Sequence, residues 1–595
     1  MTSQRGGFTR LLVTLLAVIG SLTLITVFIL GIFFIYSITT KERVPSVTIL
    51  ELNLERGMVE YVPSDPIASA VFDDAPVVRD IVDALERAKD DDRVVGLVAR
   101  LGTGPLSLGH IQEVRDAVVS FRESGKPAVA FSETFGELTP ALGHYYLATA
   151  FDSVYMQPSG DLGLVGMAVE NPFFKNLLEK LDLSPQLDHR YEYKTAMNIF
   201  TEEELTDAHE EATRRVMESI YGQIVEAIAG FRGMSEHEIN RLINEGPYIA
   251  REAFDHGLLD GLAYRDEVYD RLREEAGSNA DFLYLENYLD RAGRPHRRGE
   301  TVALIYGTGA VMRGESGFDP IFFTSSMGAE TVTRAFRDAT AAPNTKAIIF
   351  RIDSPGGSYV ASDAIWREVV RAQEKGIPVI ASMSSVAGSG GYFVAMPADK
   401  IVAQPATITG SIGVVGGKMV MRDLYERFGI TWDILKTGES ATIWSQLEEF
   451  TPAQWERIQT WLDRVYDDFT AKAAEGRGMT QEEIHELAKG RIWTGEDALE
   501  LGLIDALGGF GKSIELAKEA AGIDPDKDVR IRLYPPKRSL LEMLLNDKPD
   551  SSQPATAAAY VRTIRTLQPV LDTARRAGLD QTNDVLKMPE LELHY

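Results

Sequence analysis

The chain opens with an apolar run of one kind and continues with alternating patterns of another. From Leu11 to Thr40 no residue is charged, and the run LLVTLLAVIGSLTLITVFILGIFFIYSITT is mostly apolar. Roughly 20 apolar residues cross a bilayer core, so this run is long enough. A cleavable signal has an apolar region of only about 7–15 residues. The pattern predicts an uncleaved transmembrane signal anchor over residues 11–40, after a cytoplasmic N-terminus of residues 1–10. Arg5, Arg10 and the N-terminal amine precede the run, and Lys41 and Arg43 follow it with Glu42 between them. That balance leans to an N-in, single-pass topology.

Beyond the anchor, short apolar strands alternate with amphipathic helices. KAIIFRID reads as a buried strand, ASDAIWREVVRAQEKG as the next helix, IPVIASM as a second strand and SGGYFVAM as a second helix. Strand, crossover helix, strand implies a parallel sheet and an α/β fold. The pattern then says the same thing twice. HYYLATAFDSVYMQP (144–158) matches GYFVAMPADKIVAQP (391–405), pairing Tyr145 with Tyr392 and Asp152 with Asp399. FRGMSEHEI (231–239) matches GRGMTQEEI (476–484), AFDHGLLDG (253–261) matches ALELGLIDA (498–506), and GLVARLGTGPLS (96–107) matches AIIFRIDSPGGS (347–358). The offset stays at about 250 residues throughout, the mark of a duplication. One repeat is expected over 46–290 and the other over 300–535, joined by GRPHRRGE (293–300). In the tail, 536–595, DKPDSSQPATAAA reads as a linker and residues 560–577 as a helix.

Composition narrows the function. A length of 595 residues exceeds one core. The net charge of −27 argues against nucleic acid, which needs a basic footprint. With no cysteine, disulfides, thiolate metal sites and a cysteine nucleophile are excluded. There is no GxxxxGK[ST] phosphate loop and no HExxH, and GSIGVVGG (410–417) reads as a tight loop. No cofactor and no metal are expected.

One stretch invites chemistry. In SSVAGSGGYF (384–393), Ser389 is flanked by Gly388, Gly390 and Gly391. A serine at a strand-to-helix turn projects its oxygen and sits beside backbone N–H groups. Opposite Ser389 the first repeat has Leu142, and opposite Gly356 and Gly357 it has Pro105 and Leu106. The first repeat instead carries Lys194, set among Tyr191, Tyr193, Met197, Ile199 and Phe200, where the second has Glu439 or Ser440. Each copy thus holds half of a serine–lysine pair. A buried lysine amine can act as base for a serine when its pKa falls from about 10.4 toward neutrality; Glu192 would oppose this if close. An oxyanion needs two N–H donors. Gly390 offers one, and Gly356 or Gly357 the other. Asp353 and Ser358 flank that loop and are expected to hold its shape, Tyr392 and Phe393 to be core, and Glu202–Glu204 to be a solvated helix start.

GSGGY with DSPGGS upstream and TGSIG downstream resembles the S49 serine peptidases. The duplication, the YKTAM lysine and the N-terminal anchor resemble the long, two-repeat signal peptide peptidases of that family. The resemblance covers about residues 10–535. It implies two tandem ClpP/crotonase-like α/β repeats behind the transmembrane helix, with Ser389 as nucleophile and Lys194 as general base. It implies that Ser411 of TGSIG orients the lysine. It also implies a homotetramer on the outer face of the inner membrane, catalytic part periplasmic, acting on cleaved signal peptides and other hydrophobic peptides. The family usually has alanine before the serine; Gly388 departs from that and is expected to loosen the elbow.

Two other functions fit parts of the pattern. A crotonase-type acyl-CoA enzyme would share the fold but needs a basic nucleotide site. A membrane-tethered scaffold with a relic site would lose the serine and the lysine independently. Finally, the extended, part-apolar stretch KMPELELHY (587–595) has the composition of a segment that lies in a substrate groove.

Overall fold

The computed structural model describes residues 42–536, apart from 64–67, 69–70, 73–74, 278, 321 and 323, together with scattered positions between 20 and 29 and residues 586–588 and 593–595. Most of the expected anchor and the expected helix over 560–577 lie outside the described residues. Among the described residues, no helix is long and apolar enough to cross a membrane.

The alternating pattern becomes two parallel sheets with the same strand order. The first runs Asp281–Tyr284, Thr48–Leu54, Val94–Leu101, Ala128–Ser132, Ser153–Met156 and Gly261–Leu262, every pair parallel. The second repeats it with Val529–Tyr534, Glu300–Thr308, Thr345–Ser354, Val379–Gly388, Lys400–Ala403 and Ala506–Leu507, again all parallel. Central strands buried on both faces explain the near-continuous apolar runs such as AIIF and VIAS. The second sheet adds Ile408–Gly410, parallel to Val379–Gly388, and Ile492–Thr494, antiparallel to it in turn.

The matched motifs turn out to be the joints of this repeated frame. Tyr145 Oη donates to Leu258 O at 2.6 Å, and Tyr392 Oη to Leu503 O at 2.9 Å. Asp152 accepts from Ala128 N and Asp399 from Val379 N. The two RGM motifs end long helices, Asp207–Arg232 and Pro452–Arg477, at left-handed Gly233 (φ 63°) and Gly478 (φ 65°). Ser235 and Thr480 then cap the next helices by accepting from Glu238 N and Glu483 N. The acidic run Glu202–Glu204 is not a helix start: the helix begins at Asp207, where Thr206 accepts from His209 N. A threonine side chain can take up an orphan backbone N–H there, which glutamates placed before it do not.

The repeats are locked together through buried charge. Arg351, 2% exposed, donates Nε to Glu60 at 2.8 Å and Nη2 to Glu113 at 2.6 Å. Ser384 Oγ donates to Glu60 at 2.6 Å, and Glu113 accepts from Phe510 N at 2.6 Å. Burial pushes the Glu60 carboxyl up, but Arg351 and His110 outweigh it and hold the group well below the usual carboxylate range. Such a cluster gives register more than stability, because desolvation offsets much of the attraction. A two-stranded ribbon, Ser184–His189 against Val415–Val420, crosses the same boundary. The helix Asp207–Arg232 also crosses, with Ser219 Oγ 3.0 Å from Thr494 Oγ1.

Candidate active site

Ser389 stands where the strand Val379–Gly388 ends and the short helix Gly390–Ala395 begins. Its backbone is left-handed, φ 53° and ψ −114°, a conformation that costs a non-glycine residue about 1–3 kcal/mol. The surrounding ladder imposes it. Ser389 N donates to Gly410 O and Ser389 O accepts from Phe393 N, both at 2.8 Å. Ser389 is fully buried.

The glycines around it serve close approach rather than unusual dihedrals. Gly388, Gly390 and Gly391 are not among the positive-φ residues. A Cβ on Gly391 would stand 2.5 Å from Ser354 O, and one on Gly390 would stand 2.8 Å from Ser362 Oγ and 3.0 Å from Gly357 N. A Cβ on Gly388 would stand 2.4 Å from Met588 Sδ. Gly388 therefore makes room for the Met588 side chain.

Lys194 comes from the first repeat, just before the 3-10 turn Thr195–Met197. It is fully buried, and its Nζ lies 2.9 Å from Ser389 Oγ, 2.8 Å from Ser411 O and 2.9 Å from Ser411 Oγ. Burial alone drives its pKa well below the ordinary lysine value. Glu192, the feared counter-charge, is exposed. A neutral amine has two N–H bonds and one lone pair. It can donate to both Ser411 oxygens and accept from the Ser389 hydroxyl, which fits the three partners observed. Ser411 is itself left-handed, φ 51°, and its N–H donates to Arg491 O at 2.7 Å.

The DSPGGS loop reaches the same place. Gly356 (φ 104°) and Gly357 (φ 152°) follow Ser354, whose Oγ accepts from Gly356 N at 3.3 Å. Gly357 N is the loop amide that comes up against Gly390. Asp353 shapes the loop by accepting from Val386 N at 3.0 Å, and Ser358 caps the next helix by accepting from Ala361 N. The structure thus brings Ser389, Lys194, Ser411, Gly390, Gly356 and Gly357 into one site. Tyr392 and Phe393 are fully buried.

Sequence reasoning missed Gly490. Its φ is 88°, its N–H donates to Ile412 O, and a Cβ there would lie 2.4 Å from Lys194 Cα and Cβ. It is the wall against which the lysine backbone rests. A glycine far from any motif gave no signal of this in sequence.

The model of peptidase family S49 matches this chain over residues 120–279 and 371–524. The chain belongs to peptidase family S49. It is a serine peptidase that hydrolyses peptide bonds. "Protease 4" of Salmonella typhi is 32% identical to this S49 peptidase, covering 78% of this chain and 75% of that one. The chloroplastic serine protease SPPA of Arabidopsis thaliana is 32% identical, covering 84% and 74%. "Protease 4" of Haemophilus influenzae is 28% identical, covering 80% and 78%. In this S49 peptidase the first matched segment carries Lys194 and the second carries Ser389 and Ser411, whereas Gly356 and Gly357 lie between the two.

Proposed function

We propose that this S49 peptidase is a membrane-anchored endopeptidase that works through a Ser389–Lys194 dyad. The observation that carries this is the 2.9 Å contact between Lys194 Nζ and Ser389 Oγ in surroundings that favour a neutral amine. Ser389 Oγ attacks the peptide carbonyl while its proton passes to Lys194 Nζ. The N–H groups of Gly390 and Gly357, or Gly356 after loop adjustment, receive the developing oxyanion. Lys194 returns the proton to the leaving amine, and an acyl-Ser389 remains. The lysine then takes a proton from the water that attacks the acyl carbonyl and gives it to Ser389 Oγ as the acyl–oxygen bond breaks, which frees the serine and restores the neutral amine. Ser411 holds the amine through both of its oxygens. No metal or cofactor enters these steps.

The proposed substrates are hydrophobic extended peptides such as the remnants of signal peptides, paired by their main chain with the glycine strand. Residues 11–40 anchor the enzyme in the inner membrane, N-in, with both ClpP/crotonase-like repeats on the periplasmic side. A homotetramer is proposed as the working assembly. Phe428, Ile430, Trp432, Leu435 and Trp444 are all exposed, apolar side chains that a second copy could cover.

The test is hydrolysis of a hydrophobic fluorogenic peptide amide, with labelling by a serine-directed phosphonate mapped by mass spectrometry. Turnover with the adduct on Ser389 is expected; an adduct elsewhere, or none, would falsify the dyad. Light scattering should give four copies, and Trp432→Glu should shift the mass toward the monomer.

A further inference from the structure

The segment Leu586–Lys587 forms an antiparallel pair with Gly356–Gly357, matching Gly356 with Lys587 and Gly357 with Leu586. Met588 N donates to Pro355 O at 3.0 Å, which continues the pairing by one residue. This glycine strand is the one that comes up against Gly390 beside the nucleophile. Strand addition to such an edge is how extended peptides are held: the main chain fixes register and pockets take alternate side chains.

Met588 supplies the pocket contact. It is 4% exposed, and its Sδ, Cγ and Cβ lie 2.4, 3.1 and 3.2 Å from where a Cβ on Gly388 would be. The space opened by the glycine before Ser389 is filled by a long, unbranched side chain of the same molecule. An unbranched thioether adapts to such a slot.

A second contact stands on the first repeat. Leu593–His594 pairs antiparallel with Ala168–Val169. Tyr595 Oη donates to Leu106 O at 2.6 Å, and its ring lies against Gly143, where a Cβ would be 2.5 Å from Cδ2. Burial pushes the Tyr595 phenol up to about 12. Leu142 and Gly143 occupy the place in the first repeat that Ser389 and Gly390 occupy in the second, and Leu106 stands opposite Gly357. The segment thus touches both elbows: the one with the serine and the one that has lost it.

We propose that the segments 586–588 and 593–595 lie in the enzyme's own peptide groove as an internal pseudo-substrate, with Met588 beside Ser389 and Tyr595 seated at the serine-less elbow of the first repeat. This rests on Ser389 being the nucleophile. It assigns the decayed elbow a task, anchoring an aromatic side chain of a bound peptide. It assigns Gly388 another, admitting a methionine-like side chain next to the scissile position. An incoming peptide must displace the segment. If the segment fills the groove about nine-tenths of the time, apparent substrate affinity falls about tenfold.

The experiment uses the full chain, with Met588→Asp, Tyr595→Ala and the double variant beside the parent. kcat/KM on a fluorogenic peptide and the rate of phosphonate labelling of Ser389 are measured for each. The expected result is a rise of about tenfold in both for the double variant, part of it in each single variant. Added synthetic VLKMPELELHY should then inhibit the double variant competitively, and the same peptide with aspartate in place of methionine should not. Unchanged kcat/KM and labelling in all variants, or a fall in folded protein, overturns the proposal and leaves the peptidase reading intact. Absence of turnover and of any Ser389 adduct in every form overturns both.

Discussion

Lys194 Nζ and Ser389 Oγ are 2.9 Å apart although 195 positions separate them and they belong to different repeats. Neither repeat contains both residues. The site exists because the two copies pack with the lysine turn of one over the elbow of the other.

If the pair acts as a unit, Lys194→Ala and Ser389→Ala should each lower kcat/KM by about 10³–10⁴, and the double variant should be no worse than either. Ser411→Ala should do less, because Ser411 O still receives the lysine N–H. Peptide amide hydrolysis by the four proteins, with circular dichroism to show that each is folded, checks this.

The lysine should also write itself into the pH dependence. Burial lowers its folded pKa well below 10.5, so the base form persists to lower pH than in a free lysine. kcat/KM should fall as pH drops through that lowered value, which a pH–rate profile will locate. Stability should follow the same proton. Between the folded value and the unfolded value of about 10.4 only the unfolded chain binds it, so stability rises with pH across that window. Lys194→Met should remove this dependence and raise the apparent Tm, more at neutral pH than at pH 10.

Gly490→Ala should be damaging far beyond one methyl group. The position is left-handed, and the new Cβ would meet the Lys194 backbone at 2.4 Å. A loss of about 1–3 kcal/mol of stability is expected. A larger proportional loss in kcat than in KM is also expected, because the lysine is moved while the groove is not. Denaturant melts and steady-state kinetics read the two effects separately.

Arg351→Met should uncouple the repeats. It takes the shared guanidinium from two buried carboxylates, leaving Glu60 with only His110 and Ser384 and Glu113 with only Phe510 N, a defect of up to about 3–5 kcal/mol. Adding Glu60→Gln and Glu113→Gln should recover most of the loss. Apparent Tm and the rate of limited proteolysis between the repeats measure it.

Much of this was legible along the chain. Buried parallel strands need continuous apolar runs, and crossover helices need amphipathic ones, so AIIF and ASDAIWREVV declared an α/β repeat before any coordinate. The duplication exposed the site by subtraction: Leu142 where the other copy has Ser389, and Lys194 where it has no lysine. Local strain and small residues around Ser389 also left a trace, because a tight elbow admits only a few residue types.

What the sequence could not decide were distances between remote groups. The fall in the Lys194 pKa depends on how completely water is excluded, which is set by packing across the repeat boundary. The side chain that Gly388 accommodates could not be foreseen, because Met588 Sδ is 200 positions away. Gly490 was silent for the same reason. Periodicity and motif spacing are properties of neighbours along the chain, and they fixed the elements and the chemistry available. Burial, close approach and the meeting of two half-sites are properties of neighbours in space, and only the packed repeats determined those.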